Sequence, residues 1–222
     1  MNTDLRMHLL KIAGRDILPR SHRLFLRHMK VDMGFVPRIC YDLGSCALHW
    51  TNSAKCIWPD AEYILFDAYS PAEFLYADYK YHIGILSDSD DRTVKWYQND
   101  IHPGGNSYYR EFGTGVFPAS EYTVRSTRSL DSIVKEREFP LPDLIKIDVQ
   151  GCELDILKGA AETLKHAKYL IVELQHKQYN EGAPLAPITI EYLESQGWKC
   201  IAERFSSGQY DGDYCFENMN LR

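Results

Sequence analysis

Polar residues follow three short apolar stretches in the first half of the chain, in positions typical of nucleoside binding. One stretch ends at Asp42, and Gly44 then allows a tight turn of the backbone beside a ligand. The next ends at Asp67, where a carboxylate at a strand end can accept both ribose hydroxyls. The third ends at Ser87 and Asp88, which can meet an adenine amino group. With one strand-end acid from the second half, the predicted nucleoside contacts are Asp42, Gly44, Ser45, Asp67, Ala68, Ser87, Asp88 and Asp148.

Four residues of the second half have side chains suited to proton transfer. Asp148 ends an apolar stretch, and Glu153 opens the helical pattern after it, where its charge suits the helix dipole. Glu173 and His176 stand at the end of the next apolar stretch. A carboxylate or a histidine can take the proton of a hydroxyl nucleophile, and histidine titrates near neutral pH. We therefore predict Asp148, Glu153, Glu173 and His176 as catalytic candidates.

Simpler structural roles compete with these predictions. Asp42 could cap the helix that follows it, and Asp148 could likewise be a structural cap. Glu153 could be an ordinary acid in the first turn of a helix, and His176 could lie on a surface loop without chemistry.

Short apolar stretches alternate with helical patterns from residue 38 onward, which favours βαβ units and a parallel sheet. Apolar residues before that point recur at helical spacing, interrupted by Pro19. We predict an N-terminal helical segment over residues 1–36 and a single domain over 37–222. Residues about 93–128 are rich in Gly, Pro, Asn and Ser and predict an irregular insertion on the substrate side. The final two strand patterns predict an antiparallel pair.

Composition limits the class of protein and its partners. The net charge of −6 and a pI near 5.7 disfavour a long nucleic acid, which binds basic surfaces. The six cysteines contain no CxxC pair, so we predict no metal site of the zinc type and a reducing, cytoplasmic location. No stretch approaches the roughly 20 apolar residues of a membrane span, and the N-terminus lacks the pattern of a signal peptide.

One basic stretch departs from the acidic composition. It runs from Arg15 to Lys30 and contains Arg15, Arg20, Arg23, Arg27 and Lys30. It could face a phosphate or an acidic partner, and a solvated helix face is the simpler alternative.

The most specific pattern lies between Leu141 and Ala160. It reads Lys146-Ile147-Asp148-Val149-Gln150-Gly151-Cys152-Glu153, then Lys158-Gly159-Ala160. This stretch resembles the FkbM family of methyltransferases, whose pattern is K-I-D-V-E-G-x-E and a helix ending in K-G-A. Gln150 stands where the family usually has Glu. The segment from Val172 to His176 is similar to the family's V-E-x-H with one extra residue, and Asp67-Ala68-Tyr69 stands where the family often has E-P-N. The resemblance covers roughly Arg38 to Phe216.

The resemblance implies an α/β fold of the Rossmann-like class I methyltransferase type. Its sheet would be seven-stranded and mostly parallel, with helices on both faces and an antiparallel terminal strand. It also implies S-adenosyl-L-methionine as methyl donor and transfer to oxygen, with a sugar hydroxyl of a glycan or glycoconjugate as acceptor. A small-molecule or oligosaccharide acceptor would be the partner, and association or fusion with a larger glycan-assembly enzyme is compatible with it.

The loop around Gly104 and Gly105 is similar to a small-residue segment of the family. We predict acceptor contacts at Asn106, Ser107, Tyr108 and Tyr109. The aromatic faces in this region suit sugar rings and could form the acceptor wall, although packing of the core or of a lid would use the same residues: Trp96, Tyr97, Tyr108, Tyr109 and Phe112.

Three alternatives stay open at this point. Asp148, Glu153 and Glu173 could bind Mg²⁺ or Ca²⁺ through oxygen ligands, although the resemblance does not require a metal. The acceptor could be a nucleic-acid ribose or a protein. The chain could also be a non-catalytic nucleotide-binding domain, because Gln150 replaces an acid of the family pattern.

Overall fold

The computed structural model describes residues 3–13 and 18–221. Arg15 of the basic stretch lies outside these ranges. The six α-helices of the described chain are α1 (Thr3–Ala13), α2 (Arg20–Val31), α3 (His49–Ile57), α4 (Leu130–Arg137), α5 (Glu153–Lys158) and α6 (Ala186–Ser195). Pro19 precedes α2 directly, as expected for a residue that is tolerated at the start of a helix but disrupts a helix interior. None of the described helices is both long and apolar enough to cross a membrane.

Ten strands alternate with the later helices in the described residues. They are β1 (Ile39–Leu43), β2 (Glu62–Asp67), β3 (Lys80–Ile83), β4 (Ile85–Leu86), β5 (Thr93–Trp96), β6 (Thr123–Arg128), β7 (Leu144–Ile147), β8 (Tyr169–Gln175), β9 (Trp198–Ser207) and β10 (Asp211–Asn218).

Seven strands form the main sheet, in the order β3-β2-β1-β7-β8-β10-β9. The pairs from β3 to β8 are all parallel, so the carboxyl ends of these strands lie at one edge. Strand β10 pairs antiparallel with both β8 and β9. The predicted fold class is therefore confirmed, including the antiparallel pair formed by the last two strands.

A second, three-stranded sheet has the order β4-β6-β5. The sequence pattern from Tyr81 to Asp88 predicts one strand, but the chain changes sheets at Gly84, between β3 and β4. Strands β5 and β6 pair antiparallel and flank the irregular segment from 97 to 122, which contains one short 3₁₀ turn at Pro103–Gly105. The small sheet thus carries the predicted insertion beside the main sheet.

Alternate residues of each strand enter two hydrophobic cores, because side chains of a strand point to opposite faces. Tyr41 and Ile145 belong to the core that also contains residues of α4, α5 and α6. Cys40 and Leu144 belong to the opposite core, which α2 and α3 cover. Helices therefore lie on both faces of the sheet. The N-terminal helices share the second core with the sheet, and a boundary at residue 36 stays a prediction.

Candidate active site

A cavity of about 410 Å³ opens at the carboxyl ends of the parallel strands. This is the edge at which open α/β sheets bind ligands. Three strands of the main sheet (β2, β7 and β8) and the turn after β1 contribute to its wall, and so does the 3₁₀ turn of the insertion. The predicted residues that line it are Gly44, Ser45, Asp67, Ala68, Asn106, Tyr108, Asp148 and Glu173.

The turn after β1 requires glycine at position 44. Gly44 has a φ of +84°, and a Cβ atom there would overlap the backbone carbonyl oxygen of Asp148. Its N–H donates to the carbonyl of Phe66 at 2.9 Å, which holds the turn against β2. The close approach of two strand ends, rather than the turn alone, explains this glycine.

Asp42 lies beneath the cavity and is fully buried. Its Oδ2 accepts a hydrogen bond from the Thr51 hydroxyl, and its Oδ1 lies 3.9 Å from Nζ of Lys146. Burial raises the pKa of this carboxyl. The structure therefore places Asp42 between β1 and α3, where it supports the turn without lining the cavity.

Asp67 ends β2 and lines the cavity. Its Oδ2 accepts the N–H of Cys46 and its Oδ1 the N–H of Tyr69, both at 2.7 Å. Burial raises the pKa of Asp67 to about 6, although these two hydrogen bonds act in the opposite direction. Arg125 from β6 donates to the carbonyl of Ala68 at 2.7 Å and so holds the segment after Asp67 in place. Asp67 is thus a carboxylate fixed in orientation at the strand end.

Lys146, Asp148, Gln150 and Glu173 form a connected group on the cavity wall. Nζ of Lys146 donates to Oδ2 of Asp148 at 2.9 Å. Nε2 of Gln150 lies within hydrogen-bond distance of both carboxylates, at 3.2 Å from Oδ1 of Asp148 and 3.0 Å from Oε2 of Glu173. We call these four residues the proton cluster.

The two acids of the proton cluster have opposite pKa shifts. Burial alone would raise the pKa of Asp148, but the Lys146 ammonium lowers it below its usual value. Burial raises the pKa of Glu173 well above its usual value, and the negative charge of Asp148 adds to that shift. These opposite shifts favour the ionised form of Asp148 and the protonated form of Glu173.

Glu153 holds the loop that carries Gln150. Its Oε1 accepts the N–H groups of Val149 and Gly151, both at 3.1 Å. Gln150 and Gly151 have φ angles of +57° and +96°, so the loop makes a left-handed turn that these hydrogen bonds stabilise. Burial raises the pKa of Glu153 to about 7. Glu153 is not among the residues that line the cavity.

The third predicted strand end, at Ser87 and Asp88, does not line the cavity, and contacts with Arg92 and Gly159 fix its position. Ser87 is buried, and Asp88 forms an ion pair with Arg92 at 3.6 Å. A Cβ atom at Gly159 would overlap the carbonyl oxygen of Ser87, which explains the glycine of the Lys158-Gly159-Ala160 pattern. The cavity wall in this region is instead apolar, formed by Ile85, Leu86 and Ile156.

The predicted acceptor residues divide into two groups. Asn106 and Tyr108 line the cavity, whereas Ser107 and Tyr109 support it from outside. The Ser107 hydroxyl donates to the carbonyl of Gln150 at 2.8 Å. The hydroxyls of Tyr108 and Tyr109 donate to the same Oδ2 of Asp155, at 2.8 and 3.0 Å. These contacts join the insertion to α5.

His176 lies beyond the end of β8, where its Nε2 is 3.0 Å from the Tyr214 hydroxyl. Burial lowers the pKa of this histidine, and the nearby Arg204 adds to the effect. His176 is not among the residues that line the cavity. The structure thus brings Asp67, Asp148 and Glu173 together and leaves Asp42, Glu153 and His176 outside the cavity.

Several lining residues escaped the sequence-based predictions. Lys146 had a visible signal, since a lysine in a strand that is otherwise apolar must find a buried partner. His49 and Trp50 also line the cavity, and nothing in their local pattern distinguishes them from core residues. Trp96, one of the aromatic residues expected at the acceptor wall, lines the cavity as well. The Trp50 indole donates to Nε2 of His22 at 3.0 Å, which joins α2 to the cavity wall.

The described residues contain no group of three or more His, Cys, Asp or Glu side chains placed to hold a metal ion. The positive charge beside the acidic side chains comes from the Lys146 ammonium, whose Nζ contacts Asp148.

Known proteins similar to this chain are methyltransferases. The family described as Methyltransferase FkbM domain matches residues 70–200. The hexuronic acid methyltransferase AglP of Haloferax volcanii is 42% identical over 48 residues, which are 22% of this chain and 20% of AglP. The 2-O-methyltransferase NoeI of Sinorhizobium fredii is 34% identical over 96 residues, 43% of this chain and 37% of NoeI. The similarity thus spans well under half of each of these relatives.

Solved structures share the fold. The FkbM methyltransferase of Methylobacillus flagellatus superposes with a TM-score of 0.53 and 13% identity, over 96% of this chain and 59% of that one. The O-methyltransferase TomG of Streptomyces achromogenes, solved with S-adenosylmethionine, gives a TM-score of 0.53 and 8% identity, over 99% and 90% of the two chains. At these identities the likeness concerns the fold. Because the family match covers more than half of the sequence, the chain belongs to the FkbM methyltransferase family.

Proposed function

We propose that this protein transfers a methyl group from S-adenosylmethionine to a sugar hydroxyl. The observation that carries the proposal is a single cavity that joins Asp67, in the position of a ribose-binding acid, to the proton cluster. One end is suited to a nucleoside and the other to removing a proton. Methyl transfer to oxygen requires both at once.

The residues present fit the donor. A volume of about 410 Å³ lies within the range of small-molecule sites. Asp67 would accept the ribose hydroxyls, and Ile85, Leu86 and Ile156 would hold the adenine ring on an apolar wall. The turn at Gly44 brings backbone groups close to the ligand. When bound, S-adenosylmethionine supplies a methyl group already activated by its sulfonium sulfur.

Asp148 is the proposed proton acceptor. It is ionised at neutral pH and 32% of its side chain is exposed, so the acceptor hydroxyl can donate to it. As the hydroxyl proton passes to Asp148, the oxygen electron pair forms the bond to the methyl carbon and the carbon–sulfur bond breaks. Lys146 and Gln150 keep Asp148 in place through their hydrogen bonds to its carboxylate.

Glu153 would act as a positioning residue through the loop that carries Gln150. A role of His176 as general base stays a prediction. An unchanged pH–rate profile of His176→Ala would exclude it.

The acceptor class is supported by the relatives and by the cavity wall. AglP is named for a hexuronic acid, and NoeI for 2-O-methylation. Trp96 lines the cavity with the Arg125 guanidinium 5.3 Å from its ring, which fixes the ring for stacking on a sugar. Saccharide hydroxyls are poor nucleophiles until a base takes their proton, and the proton cluster supplies that base.

Calorimetry and a transfer assay test the proposal. The protein should bind S-adenosylmethionine and not NAD, and binding of NAD alone would eliminate the proposed activity. Asp67→Asn should weaken donor binding, and Asp148→Asn should abolish methyl transfer to a panel of sugars followed by mass spectrometry. Asp78→Asn removes an exposed carboxylate away from the cavity and serves as the matched control. Transfer at the original rate by Asp148→Asn would show that another group takes the proton.

A further inference from the structure

We propose that a groove between α2 and α3 binds a phosphate group carried by the methyl acceptor, so that the acceptor is a phosphorylated saccharide. This arginine groove is defined by Arg20, Arg23, Arg27, His49, Asn52 and Ser53 and has a volume of about 720 Å³. The link to methyl transfer rests on the proposed function.

The groove has a local charge opposite to that of the chain. Arg20, Arg23 and Arg27 recur at a spacing that places them on one side of α2. No described residue that lines the groove is acidic, whereas the whole chain has a net charge of −6. Arg20 and Arg27 are exposed and form no ion pair within the described ranges. Two guanidinium groups on one wall are thus available to an anion.

Guanidinium chemistry favours a phosphate over a single carboxylate. The planar fork of arginine donates two parallel hydrogen bonds to a phosphate, and several forks on one wall suit a group with two negative charges. On the facing helix, the Asn52 amide donates one N–H to the carbonyl of Ala13 at 3.3 Å and has a second N–H, and the Ser53 hydroxyl is a further neutral donor. A monoanionic carboxylate would need one arginine only. A long nucleic acid would need a wider basic surface than this groove provides.

The position of the groove connects it to the methyl-transfer site. His49 lines both the groove and the active-site cavity, and Ile12 and Ala13 are neighbours in sequence that line the cavity and the groove respectively. Asn52 and Ser53 follow His49 by about one helical turn, or roughly 5 Å along α3. The groove thus adjoins the cavity across His49, whose Nε2 lies 2.9 Å from the carbonyl oxygen of Ile12, and the proposed saccharide would span this boundary with its phosphate in the groove and a hydroxyl in the cavity.

Calorimetry with inorganic pyrophosphate tests the groove without turnover. The full chain should bind pyrophosphate, and the double variant Arg20→Ala with Arg27→Ala should bind it at least about ten-fold more weakly. Lys135→Ala is the matched control, because it removes an exposed positive charge from α4, on the opposite face of the sheet. The thermal midpoint and S-adenosylmethionine affinity of the double variant check that it is folded. Absent binding, or equal binding by the double variant, overturns the inference.

A transfer assay then tests the link to the acceptor. Each neutral sugar is compared with its 1-phosphate and with the corresponding nucleoside diphosphate sugar. This comparison shows whether the groove prefers a phosphate monoester or a diphosphate. We expect the better phosphorylated form to have a kcat/KM at least ten-fold above that of the neutral sugar, and the double variant to lose this preference. The acceptor phosphate does not lie in the groove if the double variant keeps the preference. The same conclusion follows if neutral sugars or uronates react with the same kcat/KM as the phosphorylated sugars. Failure of the proposed function would instead appear as absent binding of S-adenosylmethionine. The pyrophosphate result could still be interpreted in that case, because it does not depend on the donor.

Discussion

Replacement of Glu153 by glutamine should stabilise the protein at neutral and alkaline pH and leave its stability at mildly acidic pH nearly unchanged. The carboxyl is 5% exposed, and burial raises its pKa to about 7 from an ordinary value of 4.5. An acid whose pKa is higher in the folded state lowers the free energy of unfolding as pH rises from the unfolded to the folded pKa. Over that interval the loss amounts to about 3 kcal/mol, the upper limit for this group. Glutamine cannot ionise, and its Oε1 can still accept the N–H groups of Val149 and Gly151.

Urea unfolding at a pH near 5 and a pH near 8 measures this difference. The wild-type protein and the Glu153→Gln variant should have similar free energies of unfolding at the lower pH, and the variant should be more stable by up to about 3 kcal/mol at the higher pH. Comparing two proteins at each pH cancels the contributions of other acids that titrate in the same range. A difference that is the same at both pH values would refute the argument, because it would show that Glu153 is not the group responsible.

The remaining predictions concern the cavity. Gly44→Ala should abolish donor binding in calorimetry, since the new Cβ atom would overlap the carbonyl of Asp148. Gly34→Ala should bind the donor normally, because Gly34 also has a positive φ (+65°) but lies outside the cavity wall with no atom within 4 Å of the new Cβ. Asp67 must be ionised to accept two hydroxyls, so donor affinity should fall as pH drops below about 6, and Asp67→Asn should bind about ten-fold or more weakly without that pH dependence. Gln150→Glu should shift the acidic limb of the pH–rate profile to higher pH, because a second nearby negative charge raises the pKa of Asp148.

The fold could be predicted from sequence to the level of the sheet and its last two strands. Apolar strands alternating with helices and the final antiparallel pair have local patterns that the structure follows. The change of sheet at Gly84 was not predictable, because Tyr81 to Leu86 is a continuous strand pattern and only the pairing with β6 separates its second half. Helix α4 was also missed. It is short, with only eight residues, and lies between two strand patterns.

The site was predictable where a residue ends a parallel strand. Asp67 and Asp148 follow that rule and meet in one cavity. Asp42 stands within β1 and one residue before its end, so its side chain points into the protein and finds Thr51 instead. His176 follows β8 in sequence, but its backbone N–H bonds to the carbonyl of Tyr210 and its ring turns to Tyr214. Such choices depend on partners distant in sequence, which local spacing does not contain.

Gln150 replaces the glutamate that is usual in the family, and its contacts indicate whether this replacement removes the catalytic activity. Its amide lies between Asp148 and Glu173, where a third acid would add a negative charge beside two neighbouring carboxyl groups. The Lys146 ammonium contacts Asp148 and favours its ionised form, whereas burial favours the neutral form of Glu173. An amide donor stabilises an ionised Asp148, whereas a glutamate in the same place would compete for the proton. We infer that glutamine at position 150 favours a proton acceptor that is ionised at neutral pH, which argues for a working site and against a domain that has lost its activity.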